Sequence, residues 1–229
     1  MLSRKFVPII NHLRNNPLLL KKKCPDTIVR LQSQGNPEAE GTGNKVTNHE
    51  AAFANKLEEY GFTFISKNKK NDHLNNLPNE GYYYIYQVNG AQASIDFEVM
   101  YINDGIIKES YKIDCKHSTS DKIMLNDGWF EEDVLYLMTW TSKKEVKFFI
   151  GNGTLFTTKE EQEFMREIRK KKADLNLGTK YIGNLNVYWR CANSYNLRKF
   201  TDEFINNSIN KTISSLENEA SSVEQVEYM

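Results

Sequence analysis

Ser94-Ile95-Asp96-Phe97-Glu98-Val99, followed a turn later by Lys112-Ile113-Asp114-Cys115-Lys116-His117, decides how this chain folds. Both stretches alternate apolar and polar residues, the two-residue period of a half-buried β-strand. Asn103-Asp104-Gly105 between them is a tight-turn signal, so the strands form a hairpin. Ile95, Phe97, Val99 and Tyr101 then share one face with Tyr111, Ile113 and Cys115, while Asp96, Glu98, Lys112, Asp114 and Lys116 occupy the other. A turn centred on Asp104 sets Asp96 opposite Lys112; one centred on Gly105 sets it opposite Asp114, and parity allows both. In the second register two carboxylates face each other, which destabilises a sheet by up to roughly 1 kcal/mol. A bound divalent cation removes that penalty. A lysine two residues along points to the same side, where it can orient or deprotonate a metal-bound water. These residues predict a metal-dependent phosphodiesterase site. An ordinary hairpin with a solvated charged face would carry the same residues without chemistry. Three acids among only two lysines speak against that simpler reading.

The whole chain bounds the possibilities. At 229 residues it can bury one sizeable core, with room for a small subdomain. Thirty basic residues balance thirty acidic ones, which excludes a polybasic coating protein but not local basic patches that meet phosphates. Twelve glycines and five prolines exclude fibrous and low-complexity classes. Cys24, Cys115 and Cys191 are odd in number and widely spaced, so neither a disulfide framework nor a cysteine zinc site follows. A reducing, cytoplasmic setting fits best. The N-terminal apolar run is broken by Asn11, His12, Arg14 and Pro17, so neither a signal peptide nor a membrane span is expected.

Along the chain, Phe6, Ile9, Ile10 and Leu13 predict a helix over 2–14 that Asn16-Pro17 ends. Lys21-Lys22-Lys23 reads as a solvated run, and Gln34 to Asn44 as a loop lacking the G-K-[ST] ending of a phosphate-binding loop. Thr47-Asn48-His49-Glu50 is a capping box opening a helix that runs to Tyr60 and stops at Gly61, with Phe53, Leu57 and Tyr60 as its buried stripe. Residues 62–66 and the aromatic run 82–86 read as strands, the tyrosines belonging to the core rather than to a nucleic-acid surface. Residues 134–140 and 145–150 add two more. The expected architecture is therefore α/β (α+β), a central mixed sheet of about five strands flanked by helices.

Beyond the sheet, Thr157 or Thr158 caps a helix through about Lys172. Its acids come early, and Arg166, Arg169, Lys170, Lys171 and Lys172 come late, an order that suits the helix dipole and also gathers a phosphate-contacting patch. Arg190, Asn193, Ser194, Asn196 and Arg198 interleave with Tyr188 and Trp189, the residue types that read base edges or phosphates. From about Ser194, Leu197, Phe200, Phe204, Ile205, Ile209 and Ile213 recur at helical spacing. The expected organisation is 1–46 as an N-terminal helix and loop, 47–150 as the core with the metal site, 151–217 as a helical, DNA-contacting region, and 218–229 as a disordered acidic tail.

Asp96 followed by Asp114-Cys115-Lys116 resembles the D…(D/E)-x-K signature of the PD-(D/E)xK nuclease superfamily, which includes many type II restriction endonucleases. Ile95 stands where proline is usual, and Asp114 where glutamate is more frequent. His117-Ser118-Thr119-Ser120, through Asn126-Asp127-Gly128 to Val134-Leu135-Tyr136, is similar to restriction enzymes in which a serine-rich turn precedes an "N-D-G" loop and a tyrosine-bearing strand. The resemblance covers residues 47–150. It implies a restriction endonuclease-like core holding Mg²⁺, with Mn²⁺ as a substitute, on Asp96 and Asp114. Glu98 would be a further ligand or an outlying acid, and Lys116 would lower the pKa of the attacking water or stabilise developing charge. Glu50 matches the glutamate that a preceding helix often adds to the metal site, although its capping box explains it equally. The implied reaction leaves 5′-phosphate and 3′-hydroxyl ends on double-stranded DNA. Ser118, Ser120, Asn126, Arg169, Lys170, Lys171, Arg190, Asn193 and Arg198 are the candidate DNA contacts. A homodimer and a companion DNA methyltransferase would accompany a restriction enzyme. A repair nuclease, a junction resolvase, an RNA-cleaving enzyme or a non-catalytic nucleic-acid-binding module are the alternatives.

Overall fold

The first helix, α1 (Leu2–Asn15), buries Phe6, Ile9, Ile10 and Leu13 as their spacing predicts. Pro17 starts a 3₁₀ turn (Pro17–Lys21), and α2 (Pro25–Gly35) follows. The computed structural model describes residues 1–35, 46–65, 80–87, 95–125, 130–142, 144–178 and 193–226. Helix α2 takes in the start of the predicted loop, whose remainder lies outside those residues. Thr47 and Glu50 close a reciprocal capping box on α3 (Asn48–Glu59), and Gly61, at φ +82°, takes the left-handed conformation that ends it.

Among the described residues eight strands follow: β1 (Thr63–Phe64), β2 (Glu80–Tyr86), β3 (Phe97–Asn103), β4 (Ile106–Ser118), β5 (Lys122–Leu125), β6 (Val134–Ser142), β7 (Glu145–Gly151) and β8 (Asn193–Asn196). Six of them form one mixed sheet in the order β1-β2-β3-β4-β6-β7, one more than the sequence suggests. β5 and β8 pair separately as an antiparallel ribbon. The pairs β1/β2 and β4/β6 are parallel and the rest of the large sheet is antiparallel. The ribbon was not predicted because β5 is only four residues long and β8 is Asn-Ser-Tyr-Asn, a composition strands disfavour.

Helices cover both faces of the sheet. Phe6 of α1 packs on Tyr111 and Phe53 of α3 packs edge-on against Phe97. On the other face, a short helix α4 (Gly153–Phe156) and the 3₁₀ turn Leu197–Lys199 bring Phe156 and Phe200 onto Tyr136 and Phe149. Helix α5 (Lys159–Gly178) carries a second capping box between Thr158 and Glu161 and runs past Lys172. The C-terminal helix α6 (Asp202–Val226) starts later than the spacing suggests. The Thr201 hydroxyl accepts the Phe204 amide, so Thr201 caps the helix, while Asn193–Asn196 are drawn into the ribbon. Helix α6 also persists through Val226 where a disordered tail was expected, its Glu and Ala content being adequate for helix. Ser208 and Thr212 tie it to β7 by donating to the Ile150 carbonyl, and Arg14 of α1 donates to Asn206 and Asn210. Among the described residues no helix is long and apolar enough to cross a membrane.

The register of the central hairpin sets the site. Asp104 (φ +53°) and Gly105 (φ +70°) form a two-residue turn with both residues left-handed, the type I′ arrangement that matches strand twist. A turn centred between those two residues would, by parity, carry the acids of β3 across from core residues of β4. One extra residue corrects this. Tyr101 pairs with Glu109 but Ile102 pairs with Ile107, so Lys108 is bulged out. From there the pairing Glu98 with Lys112 and Phe97 with Ile113 follows the register that carries Asp96 towards Asp114.

Candidate active site

β3 begins at Phe97, so Cys115 on β4 has already run past the end of its partner strand. Its amide donates instead to Oδ2 of Asp96 at 2.7 Å. Strand amides point within the plane of the sheet. The Asp96 carboxylate therefore sits in line with the sheet, at the open end of the hairpin, where the sequence alone put it on the charged face. Its backbone is pinned on both sides, donating to the Ile113 carbonyl at 3.0 Å and accepting the Gln87 amide at 2.6 Å. Asp114 is buried at 2% exposure and its Oδ1 accepts Lys116 Nζ at 2.7 Å. Glu50, buried at the start of α3, takes the Thr47 amide (2.8 Å) and the Tyr86 hydroxyl (3.0 Å), both on Oε2. The capping role and the site role thus fall on one side chain.

Glu50, Asp96, Asp114 and Lys116 act on one another electrostatically. Burial, then the negative charges of Glu50 and Asp114, push the Asp96 carboxyl well above the usual carboxylate range. Burial also raises Glu50, against the hydrogen bonds from Thr47 and Tyr86. Burial alone would lower Lys116, but Asp114 and Asp96 outweigh it and the ammonium is held above its ordinary value. A lysine so placed stays charged at neutral pH. It can donate hydrogen bonds and stabilise negative charge, and the sequence-based option that it deprotonates a water is not what this environment favours.

Glu98 is placed differently from the other acids. It lies across from Lys112, about 7 Å along the strand from Asp96. Lys112 in turn donates to Asp133 at 2.8 Å. Among the described residues no three Asp, Glu, His or Cys side chains gather into a metal-ligand cage. The expected trio of Asp96, Asp114 and Glu98 is therefore not drawn together among the described residues, β3 carrying Glu98 a full side-chain repeat from Asp96. Two carboxylates with an adjoining ammonium still suit Mg²⁺, which keeps several waters and typically takes one or two carboxylates plus substrate phosphate. Glu50, Asp96 and Asp114 lie around a single lysine, and a cation bound there would favour the ionised forms that burial and mutual repulsion disfavour.

The nucleic-acid candidates divide. Ser118 is buried, its hydroxyl within hydrogen-bond distance of the carbonyls of Lys122 (2.6 Å) and Ser120 (3.0 Å), so it holds a turn. Ser120, half engaged in the same turn, is exposed. Arg198 is exposed but grips Asp121, with Nε to Oδ2 at 2.6 Å. Lys170 and Lys171 lie exposed on α5, the helix that also carries Arg169. Asn193 pairs with Leu125 in the ribbon. Asn126 and Arg190 fall outside the described residues.

Two histidines beside the site were not foreseen. His49, next to Glu50, stacks on His117, next to Lys116, with ring centroids 5.1 Å apart. Burial, His117 and Lys116 together bring His49 down to about 4, and burial and Lys21 lower His117. His117 Nε2 lies 3.0 Å from the Thr141 hydroxyl on β6. The pair is a neutral, aromatic brace between α3 and β4. Each histidine adjoins a singled-out residue, but only the fold shows that the two meet. A cavity of about 380 Å³ lies beside the middle of β4, lined by Tyr111, Lys112, Asp133 and Leu216.

No protein-family model, no curated protein and no solved structure matches this chain. The chemistry of the site therefore rests on its own residues.

Proposed function

We propose that this protein is a Mg²⁺-dependent DNA endonuclease of the type II restriction kind, built on a restriction endonuclease-like core. One observation carries the reading: Asp96, Asp114 and Lys116 converge where β3 ends, with the carboxylate of Asp96 on the Cys115 amide and Lys116 on Asp114. A solvated charged face would not bury Asp114 or share charge with Glu50.

Asp96 and Asp114 would hold Mg²⁺, or Mn²⁺ in its place, which when bound supplies charge neutralisation at the scissile phosphate and acidifies water. Lys116 stays protonated and donates to the charge that develops on the phosphate oxygens. Asp114 aims Lys116 and Tyr86 fixes Glu50 at the rim. The expected products are 5′-phosphate and 3′-hydroxyl ends. A homodimer with one site per strand suits a palindromic target. A cytoplasmic setting and a companion DNA methyltransferase follow from the same reading.

Plasmid DNA incubated with and without Mg²⁺ tests it. Discrete fragments that need the metal and vanish in Asp114→Asn and Lys116→Ala are expected. Intact plasmid in every condition, with the wild-type protein folded, would overturn the proposal. A smear would move it towards a repair-type nuclease, and cleavage confined to RNA towards an RNA-cutting enzyme.

A further inference from the structure

The ribbon of β5 and β8 has no part in the large sheet, yet it is fastened to the strand that carries the candidate site. Ser118 shares a side-chain parity with Asp114 and Lys116, and its hydroxyl grips the Lys122 carbonyl at 2.6 Å. Ser120 adds a second hold on the same carbonyl at 3.1 Å. At the same end of the ribbon, the Leu197 amide donates to the Asp121 carbonyl at 2.8 Å and Arg198 clamps the Asp121 carboxylate. Both strands are thus fixed against one short turn, six residues beyond Lys116. Ile123 and Leu125 are buried and anchor the inner side. Lys122 and Asn196 are exposed and directly paired, and Met124, at 52% exposure, is a large apolar side chain left in water one side-chain repeat along β5.

We infer that this ribbon is the element that reads the substrate, entering the major groove of duplex DNA while the open end of the hairpin meets the phosphodiester. The inference rests on the nuclease reading above. The B-DNA major groove is about 12 Å wide and admits a two-stranded β-ribbon. Lys122, Arg198 and Lys199 are exposed there, and within the described segments 118–125 and 193–199 Asp121 is the one acid, a local excess of positive charge on a chain that is neutral overall. Lys122 supplies a phosphate or guanine contact, Asn196 supplies amide hydrogens for a base edge, and Met124 offers an apolar surface for a thymine methyl. The major groove of A-form RNA is too deep and narrow for such a reader, so the ribbon selects DNA over duplex RNA. Ser118 is a positioning residue: it sets where the ribbon stands relative to Lys116.

The experiment withholds divalent cation and measures binding to a duplex carrying the sequence that the wild-type protein cuts, beside a scrambled duplex and an RNA duplex of the same sequence. Met124→Glu is expected to weaken binding at least tenfold, and Asn196→Ala to narrow the preference for the cut sequence by about tenfold. Lys122→Ala should weaken DNA of any sequence and lower the slope of log affinity against log salt by about one. Lys108→Ala, at the distant turn end of β4, should bind as wild type. All four positions are exposed, and unchanged melting confirms the fold. If the three ribbon variants bind and discriminate as wild type does, or if duplex RNA is held as well as DNA, the ribbon is not the reader. If the wild-type protein neither cuts nor binds any duplex, the nuclease reading itself has failed and the ribbon proposal falls with it.

Discussion

Strand β4 carries two lysines, each paired with an aspartate at nearly the same distance, and the two pairs differ in everything else. Lys112 meets Asp133 at 2.8 Å with side chains 49% and 64% exposed; Lys116 meets Asp114 at 2.7 Å with side chains 24% and 3% exposed. The first is a surface pair, screened by water and salt and worth at most about 1 kcal/mol. The second is taken out of water together with two further carboxylates, Asp96 and Glu50. Desolvation makes such an arrangement a weak route to stability. A sheet that needed only cross-strand charge pairs would use the first kind throughout. On the proposed reading, the difference marks the open end of the hairpin as the place where stability is given up for chemistry.

The sharpest way to break the comparison is to neutralise one member of each pair and measure cleavage. Lys116→Ala and Asp114→Asn should each reduce Mg²⁺-dependent cleavage by on the order of a hundredfold to a thousandfold, the range seen when a charge-stabilising group is removed. Lys112→Ala should leave it unchanged. Equal losses at both lysines would mean that the two pairs are equivalent and that no site exists at the open end.

Next in size is stability, where the members of the buried pair should part company. Lys116→Ala leaves Asp114 buried without its counter-charge and should cost about 3 kcal/mol. Asp96→Asn relieves like-charge repulsion with Glu50 and Asp114 while keeping an acceptor for the Cys115 amide. It should raise the thermal midpoint by about 2–4 °C, the shift that roughly 1 kcal/mol produces in a chain of this size, while abolishing cleavage. Calorimetry on purified, EDTA-treated protein decides this. A fall in midpoint for Asp96→Asn would show that Asp96 is structural first.

The same residue fixes a pH trend. A carboxyl raised in the folded state binds its proton more tightly there than in the unfolded chain, so rising pH destabilises the fold across the interval from the ordinary carboxyl pKa of about 4 up to the folded value. In EDTA, the stability of wild type relative to Asp96→Asn should therefore decline as pH rises from acid towards neutral. Added Mg²⁺ should flatten that decline by stabilising the ionised form. A difference between the two proteins that stays constant with pH would separate Asp96 from the cluster.

Much of this contrast was legible in the sequence, because alternation and a turn signal put Asp96, Asp114 and Lys116 in one hairpin and the capping box put Glu50 at a helix start. The burial of Asp114 was not legible. It depends on β6 lying parallel beside β4 and on aromatics such as Phe130 and Phe156 closing over Tyr136, its partner in register. Nor could alternation show that Lys108 would bulge, which alone reconciles a two-residue turn with the register of the acids. The ribbon escaped because both strands are short, β8 is polar, and some seventy residues part them, so only tertiary pairing defines them.

The smallest expected effect tests the exposed pair by itself. Lys112→Ala and Asp133→Ala should each change unfolding free energy by less than about 1 kcal/mol, and the double variant should show a coupling of only a few tenths, at roughly the level seen for surface pairs. That coupling should disappear at about 1 M salt, where the screening length is near 3 Å and comparable to the pair's own separation. The same cycle on Lys116 and Asp114 should keep most of its coupling at that salt concentration, since ions do not reach a side chain that is 3% exposed. Chemical denaturation with urea, which leaves ionic strength free to vary, makes the measurement. If both couplings fade together with salt, water reaches Asp114 as freely as Asp133, and the open end of the hairpin is an ordinary charged surface.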